Sequence, residues 1–148
     1  MTIIHLDYIE FRFVESWIFE YSTFVSMIYR GENYFDRFFA NLNDVLKKSL
    51  YAKMKIIGQT HRSNWNSTII ETLKNYPKQY CIRKLGTNNF RVSTTTIDNV
   101  IILILGFPKD SNESTKTIHQ FYKKAQKYID IIQDNKNEIR NKLRRIIK

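Results

Sequence analysis

The sequence predicts an α+β domain with helices laid on one face of a single antiparallel sheet, and three observations lead there. Residues 80–107 hold three β-branched and aromatic runs separated by turn residues. Residues 115–133 carry apolar side chains at helical spacing. A strand-like run opens the chain ahead of two stretches with helical periodicity. The expected order is β-α-α-(short α)-β-β-β-α-α, with the three later strands forming a meander that joins the first strand in one sheet.

Taken in order, "TIIHLDYIEFRFV" (2–14) is β-branched, aromatic and partly alternating, which reads as a strand. From Ser16, the apolar residues Trp17, Ile18, Tyr21, Val25 and Ile28 fall at helical spacing, and Gly31 is the expected stop. Phe35, Phe38, Phe39, Leu42, Leu46 and Leu50 form the core-facing stripe of a second helix. Gly58 and the polar residues of 56–68 read as a loop, and Ile69, Ile70 and Leu73 as a short helix closed by Tyr76-Pro77. Strands follow at 80–85, 89–97 and 100–107, joined by Gly86-Thr87-Asn88 and by Asp98-Asn99, residue types that tolerate the positive φ of tight turns. Ser114 or Thr115 is the expected cap of a helix whose buried stripe is Ile118, Phe121, Ala125, Tyr128 and Ile132. The last segment, "NEIRNKLRRIIK", carries a net +4 with Ile139, Leu143, Ile146 and Ile147 on its apolar side. Residues 1–133 therefore read as one domain and 134–148 as an additional basic helix.

The 148 residues, 43% apolar and 14% aromatic, suffice for one cored domain. Cys81 is the single cysteine, so no internal disulfide forms and a reducing cytoplasm is the expected compartment. The longest apolar run, Val100 to Phe107, is too short to span a bilayer. Charge is unevenly spread. Residues 1–46 hold three basic and seven acidic side chains, a net of −4, and residues 47–148 hold 21 and seven, a net of +14, which together give the stated +10. Such a basic surface favours polyanions, nucleic acid above all, or an acidic protein partner.

Strand 100–107 is apolar at every position, which calls for cover on both faces or nearly so. Its neighbour alternates: Phe90, Val92, Thr94 and Thr96 face one way, and Arg91, Ser93 and Thr95 the other. The second set is expected to form a polar face open to solvent. Arg91 would stand fixed in it, where a phosphate-reading guanidinium is best placed.

"YCIRKLGTNNFRVSTTTIDNVIILILGF", followed by a lysine and a helix, resembles the C-terminal half of the RelE/HigB/ParE superfamily of toxins from bacterial toxin–antitoxin systems. The sequence likeness covers 80–125, and the layout likeness 1–133. The resemblance implies an endoribonuclease that cleaves messenger RNA, usually on the ribosome, and is held inactive by an acidic antitoxin. Its chemistry is attack of a 2′-hydroxyl on the adjacent phosphate without metal or other cofactor. Cations hold the phosphate, and an acid and a base serve the two oxygens.

Carried over by position, Arg91 matches the family's strand arginine and Lys84 the basic residue seven positions earlier. Lys109 lies in the basic segment after the glycine, although "PKDSNES" holds one lysine where the family often has several basic residues. His119, Tyr122 and Lys123 on the next helix supply acid/base and stacking groups. Arg91, Lys109, His119 and Tyr122 are thus the expected catalytic residues. Arg83, Lys84, Lys123, Arg140, Arg144 and Arg145 are the expected RNA contacts, with Arg83, which lacks a counterpart, on the opposite face of its strand. The match ends at 133, where the family often places a catalytic residue near its C-terminus.

Each group also has a plainer reading. Arg91 can bond a carboxylate across the sheet, Tyr122 can pack on the sheet edge, and the lysines can be solvated. His61, Arg62 and Trp65 suit a base-stacking contact or an ordinary loop. His5, His61 and His119 share no metal-ligand spacing. The alternative function is a non-catalytic basic module that binds nucleic acid or protein: a ParE-like toxin acting on a protein, or a mobile-element accessory or inhibitor protein.

Overall fold

The run of apolar residues from Val100 demands cover on both sides, and the fold is organised around meeting that demand. The computed structural model describes residues 6–84, 89–109 and 115–147. Strands β1 (Ile9–Ile18) and β2 (Thr23–Tyr29) are followed by helices α1 (Tyr34–Ala40) and α2 (Asp44–Gly58) and a 3-10 turn at Arg62–Asn64. Strands β3 (Glu71–Thr72), β4 (Tyr80–Arg83), β5 (Asn89–Ile97) and β6 (Val100–Lys109) come next, then helices α3 (Thr115–Asp134) and α4 (Lys136–Ile146). The turn at 86–88, the cap at Ser114, and His5 lie outside the described residues. Among the described residues, no helix is long and apolar enough to cross a membrane.

All six strands form one sheet in the order β1-β2-β6-β5-β4-β3. It is mixed rather than antiparallel, because β2 runs parallel to β6, with Thr23 opposite Val100 and Ser26 opposite Leu103. The strand joined to β6 is therefore β2 and not the first strand. The parallel register stops at Leu103, so Pro108, further along β6, breaks no pairing with β2.

Helices cover both faces, which corrects the one-faced expectation. Ile101 and Leu103 of β6 pack with Phe35 and Phe38 of α1 and with Leu50, Met54 and Ile57 of α2. Ile102 and Ile104 pack on the other side with Ala125, Ile129 and Ile132 of α3 and with Ile139 and Leu143 of α4. A register shift opposite Ser93/Thr94 puts Ile104 and Leu105 on that same side. Ile139 is 0% exposed and Leu143 3%, so the basic C-terminal helix is part of the core.

The helix expected from Ser16 to Gly31 does not form. Trp17 and Ile18 end β1, and Val25 and Ile28 lie on β2. Residues 22–27 are buried without a break, so this central strand shows no period of two, and its apolar residues fit helical spacing by coincidence. Gly31 does take a positive φ of 78°, but in the turn after a strand.

The single helix expected over 35–50 is two. Asn33 accepts from the Asp36 amide and Asn43 from the Leu46 amide, both at 2.9 Å, so "NLN" at 41–43 ends one helix and caps another. Helix α2 then runs on through Gly58, into the segment read as loop. There a Cβ on Gly58 would lie 2.4 Å from Phe19 Cδ2. The short helix expected near 69–73 is replaced by turns and the edge strand β3.

Candidate functional site at the Arg83–Arg91 end of the sheet

Arg83 on β4 and Arg91 on β5 are direct cross-strand partners, so both side chains stand on one face, the face covered by α3. This corrects the expectation that Arg83 points away. By strand alternation it is Lys84, whose amide bonds Phe90 O at 3.1 Å, that leaves this face. Like charges at opposite positions of a sheet repel, and Glu71 of β3, on the far side of β4, offsets part of this with Oε2 2.6 Å from Arg83 Nη2.

Arg91 is half-buried. Its Nη1 donates to the Tyr122 hydroxyl at 2.9 Å, and its Nε is buried with no hydrogen-bond partner among the described residues. The face around it is not open. Ser93 and Thr95 are fully buried under α3. Ser93 Oγ donates to Gln79 Oε1 at 2.7 Å, and Gln79 Nε2 donates to Tyr122 O at 3.1 Å. Thr95 Oγ1 donates to Lys78 O at 2.8 Å and accepts from Gln133 Nε2 at 2.8 Å. The alternation on β5 is as expected, but its polar row docks a helix. Along the row Arg91, like its partner Arg83, is half-buried where Ser93 and Thr95 are fully buried.

Tyr122 is 4% exposed, with its ring against Tyr76 and Phe107, so it offers no free face for stacking on a base. Burial raises its pKa far above the ordinary tyrosine value, and the nearby Cys81 adds to this, so the hydroxyl keeps its proton. Its role is to hold Arg91. Cys81 Sγ lies 3.7 Å from the same hydroxyl, and burial pushes the thiol up to about 11.

His119, one turn earlier on α3, is exposed at the rim. Its Nδ1 shares a 2.9 Å hydrogen bond with the Tyr76 hydroxyl, and the two rings stack with centroids 5.9 Å apart. The structure thus brings Arg83, Arg91, Tyr122 and His119 together. Glu71, Tyr76 and Gln79 also belong here. Sequence reasoning misses them because their segment reads as a short helix and its closure.

The remaining expected residues lie elsewhere. Lys109 is the last residue of β6, opposite Asn89, and its side chain lies outside what the structure describes. Lys123 is exposed on α3, and Arg144 and Arg145 are exposed on α4. Arg140 binds Asp98 through Nε at 2.6 Å and Nη2 at 3.1 Å, at the far end of β5. Arg91 and Asp98 are seven residues apart along the strand, roughly 23 Å at about 3.3 Å per residue. Among the described residues, no group of three or more His, Cys, Asp or Glu side chains is placed to hold a metal ion. No protein-family model, curated protein or solved structure matches the chain.

Proposed function

We propose that the chain is an RNA-cleaving toxin of the RelE/HigB kind, acting on messenger RNA without metal at the Arg83–Arg91 end of the sheet and held by an acidic antitoxin. The observation that carries this reading is a pair of arginines at opposite register positions, Arg83 ion-paired to Glu71 and Arg91 held by Tyr122, with a histidine at the rim. With β1, β3 and α4 set aside, the order β2, α1, α2, β4, β5, β6, α3 follows a strand–helix–helix–three strands–helix layout, although the strand is β2 rather than the first strand and the helices are not the two expected from the sequence.

The phosphate is gripped at the end of the sheet rather than across its face. Two cations there stabilise the pentacoordinate phosphate as the 2′-oxygen bonds to phosphorus and the 5′-oxygen leaves. His119 is the rim group able to exchange a proton with those oxygens, and Tyr76 fixes its ring. Tyr122 positions Arg91 and transfers no proton.

The half-burial of Arg91 under α3 favours a second reading, RNA binding without cleavage. Purified protein with end-labelled RNA in EDTA, alone and in a translating extract, separates the two. Cleavage lost in Arg91→Ala and in His119→Ala supports the nuclease, and retention without cleavage supports the binding module. Growth arrest on expression that persists unchanged in Arg83→Ala and Arg91→Ala overturns both.

A further inference from the structure

At the far end of β5 a polar cleft of about 270 Å³ opens between the Arg62–Asn64 turn, the β5–β6 turn and the start of α4. Its walls carry Arg62, Lys78, Lys136 and Arg140 around one carboxylate, Asp98. Arg140 already holds that carboxylate in a two-point ion pair, which keeps Asp98 below the usual carboxylate range. No ion pair among the described residues engages Arg62, Lys78 or Lys136. Three cations without a close ion pair therefore line one cleft, with Lys136 still within the field of Asp98.

Two local features mark this cleft. Lys78 holds a positive φ of 63°, a conformation that costs a side-chain-bearing residue about 1 kcal/mol or more. Helix α4 begins at Lys136 in the cleft, and its cap residue Asn135 makes no capping hydrogen bond, donating instead to Ile131 O at 2.7 Å.

A second cleft of about 220 Å³ shares Arg62, Thr96 and Asp98 with the first and is lined by Tyr21, His61 and Trp65. Arg62 stands between the two. Its Nη2 donates to Thr96 Oγ1 at 2.7 Å, and its guanidinium lies 5.5 Å from the Trp65 ring centroid and 5.8 Å from that of Tyr80. The two spaces together match a nucleotide-sized site, roughly 300–1,000 Å³.

We propose that these adjoining clefts bind a nucleotide, with its phosphate among Arg62, Lys78 and Lys136 and its base beside Tyr21, His61 and Trp65. The phosphate meets two lysine point charges and the charge of Arg62, whose Nη1 and Nη2 already donate to Asp98 O and Thr96 Oγ1, and the base meets aromatic surface, the pairing such a ligand requires. The nucleotide is either free or one unit of an RNA strand. The inference does not depend on cleavage at the Arg83–Arg91 end.

The test is an NMR titration of the full chain with AMP, with inorganic phosphate and with a 5′-phosphorylated trinucleotide. The Trp65 indole N–H, which donates to Thr60 O at 3.1 Å, is the reporter. AMP is expected to shift that resonance, and Lys78→Gly combined with Lys136→Gln to weaken binding at least about tenfold. Glycine accepts the φ of position 78 without strain, so this variant removes charge and not the fold. Arg91→Ala is expected to leave AMP affinity unchanged, which separates this site from the other. Tighter binding of the trinucleotide than of AMP identifies RNA as the source, and the reverse a free nucleotide. An indole signal that does not move, phosphate binding as tightly as AMP, or full affinity in the double variant overturns the proposal.

Discussion

Arg83 and Arg91 are direct register partners across β4 and β5, and among the described residues the carboxylate bonded to the pair is Glu71, through Arg83. Like charges placed opposite one another in a sheet weaken it, by about 0.2–1 kcal/mol. Arg91 also buries an Nε that makes no hydrogen bond among the described residues. A position that costs stability in this way is expected of a functional group rather than a structural one. Arg91→Met combined with Tyr122→Phe, which strands no buried hydroxyl, should therefore leave the melting temperature unchanged or raised while lowering RNA cleavage about 10²–10³-fold, the usual effect of losing one transition-state donor. Calorimetry beside a cleavage assay checks both halves. A clear fall in melting temperature with activity intact would make Arg91 a structural residue.

Tyr122 supports Arg91 from beneath α3. Tyr122→Phe keeps the packed ring and removes the oxygen that accepts from Arg91 Nη1. A half-buried guanidinium then loses its partner, which should lower stability by about 1–3 kcal/mol. Activity should fall without any change in the alkaline limb of its pH profile, because the hydroxyl keeps its proton throughout. Denaturant melts and a pH–rate series measure the two effects.

Cys81 gives a signature of the same buried row. Its thiol is raised from 9.0 to about 11 by burial, so the folded state resists ionisation that the unfolded chain undergoes. The associated stability is fully present below pH 9 and is lost as pH rises towards 11, by about 2–3 kcal/mol. Cys81→Ala should flatten that alkaline loss. Iodoacetamide at pH 8 should label the native protein far more slowly than the urea-unfolded chain. Equal labelling of both would contradict the burial of the thiol.

The parts of the fold legible in the sequence are those whose periodicity one face imposes. The stripe Ile118, Phe121, Ala125, Tyr128, Ile132 marks α3 because its other side is polar, and the positive φ of 53° at Asp98 sits where the turn residues put it. Strand β2 escapes notice because burial from both sides erases its alternation, and the parallel partner of β6 goes with it. Three of the expected site residues lie close together. Arg91, Tyr122 and His119 do meet, but whether a polar strand row is open or roofed depends on a helix packed over it from far along the chain. Glu71 and Tyr76 are brought in by an edge strand of two residues and by turns, elements too short to show any period.

Gly106 tests how tightly the opposite face is packed. A Cβ there would lie 2.3 Å from Phe38 Cδ2 and 2.6 Å from Cε2, inside any allowed contact. Gly106→Ala should cost about 1–3 kcal/mol through displacement of the Phe38 ring. Pairing it with Phe38→Leu should recover part of the loss, giving a non-additive double-mutant cycle. Additive effects would mean that the ring moves aside freely.

The C-terminal helix combines basic charge with core packing, and its two contributions are separable. Removing residues 134–148 takes Ile139 and Leu143 out of the core shared with α3 and β1. It also removes Lys142, which donates to Leu6 O at 3.1 Å and to Ile9 O. Buried aliphatics of this size are worth about 2–5 kcal/mol each, against a total of about 5–15 kcal/mol for a small domain. The truncated chain should therefore fail to fold cooperatively, and its weaker hold on RNA would carry no information about binding. Arg144→Glu with Arg145→Glu changes only exposed side chains, so far-UV circular dichroism and the melting temperature should stay near those of the parent. If α4 touches the RNA backbone, this variant should weaken binding and flatten the dependence of log affinity on log salt, by about 0.7 of slope for each single-strand phosphate that is no longer neutralised. An unchanged salt slope with a folded protein would confine RNA binding to the ends of the sheet, and the charge of α4 would then serve only its solvation.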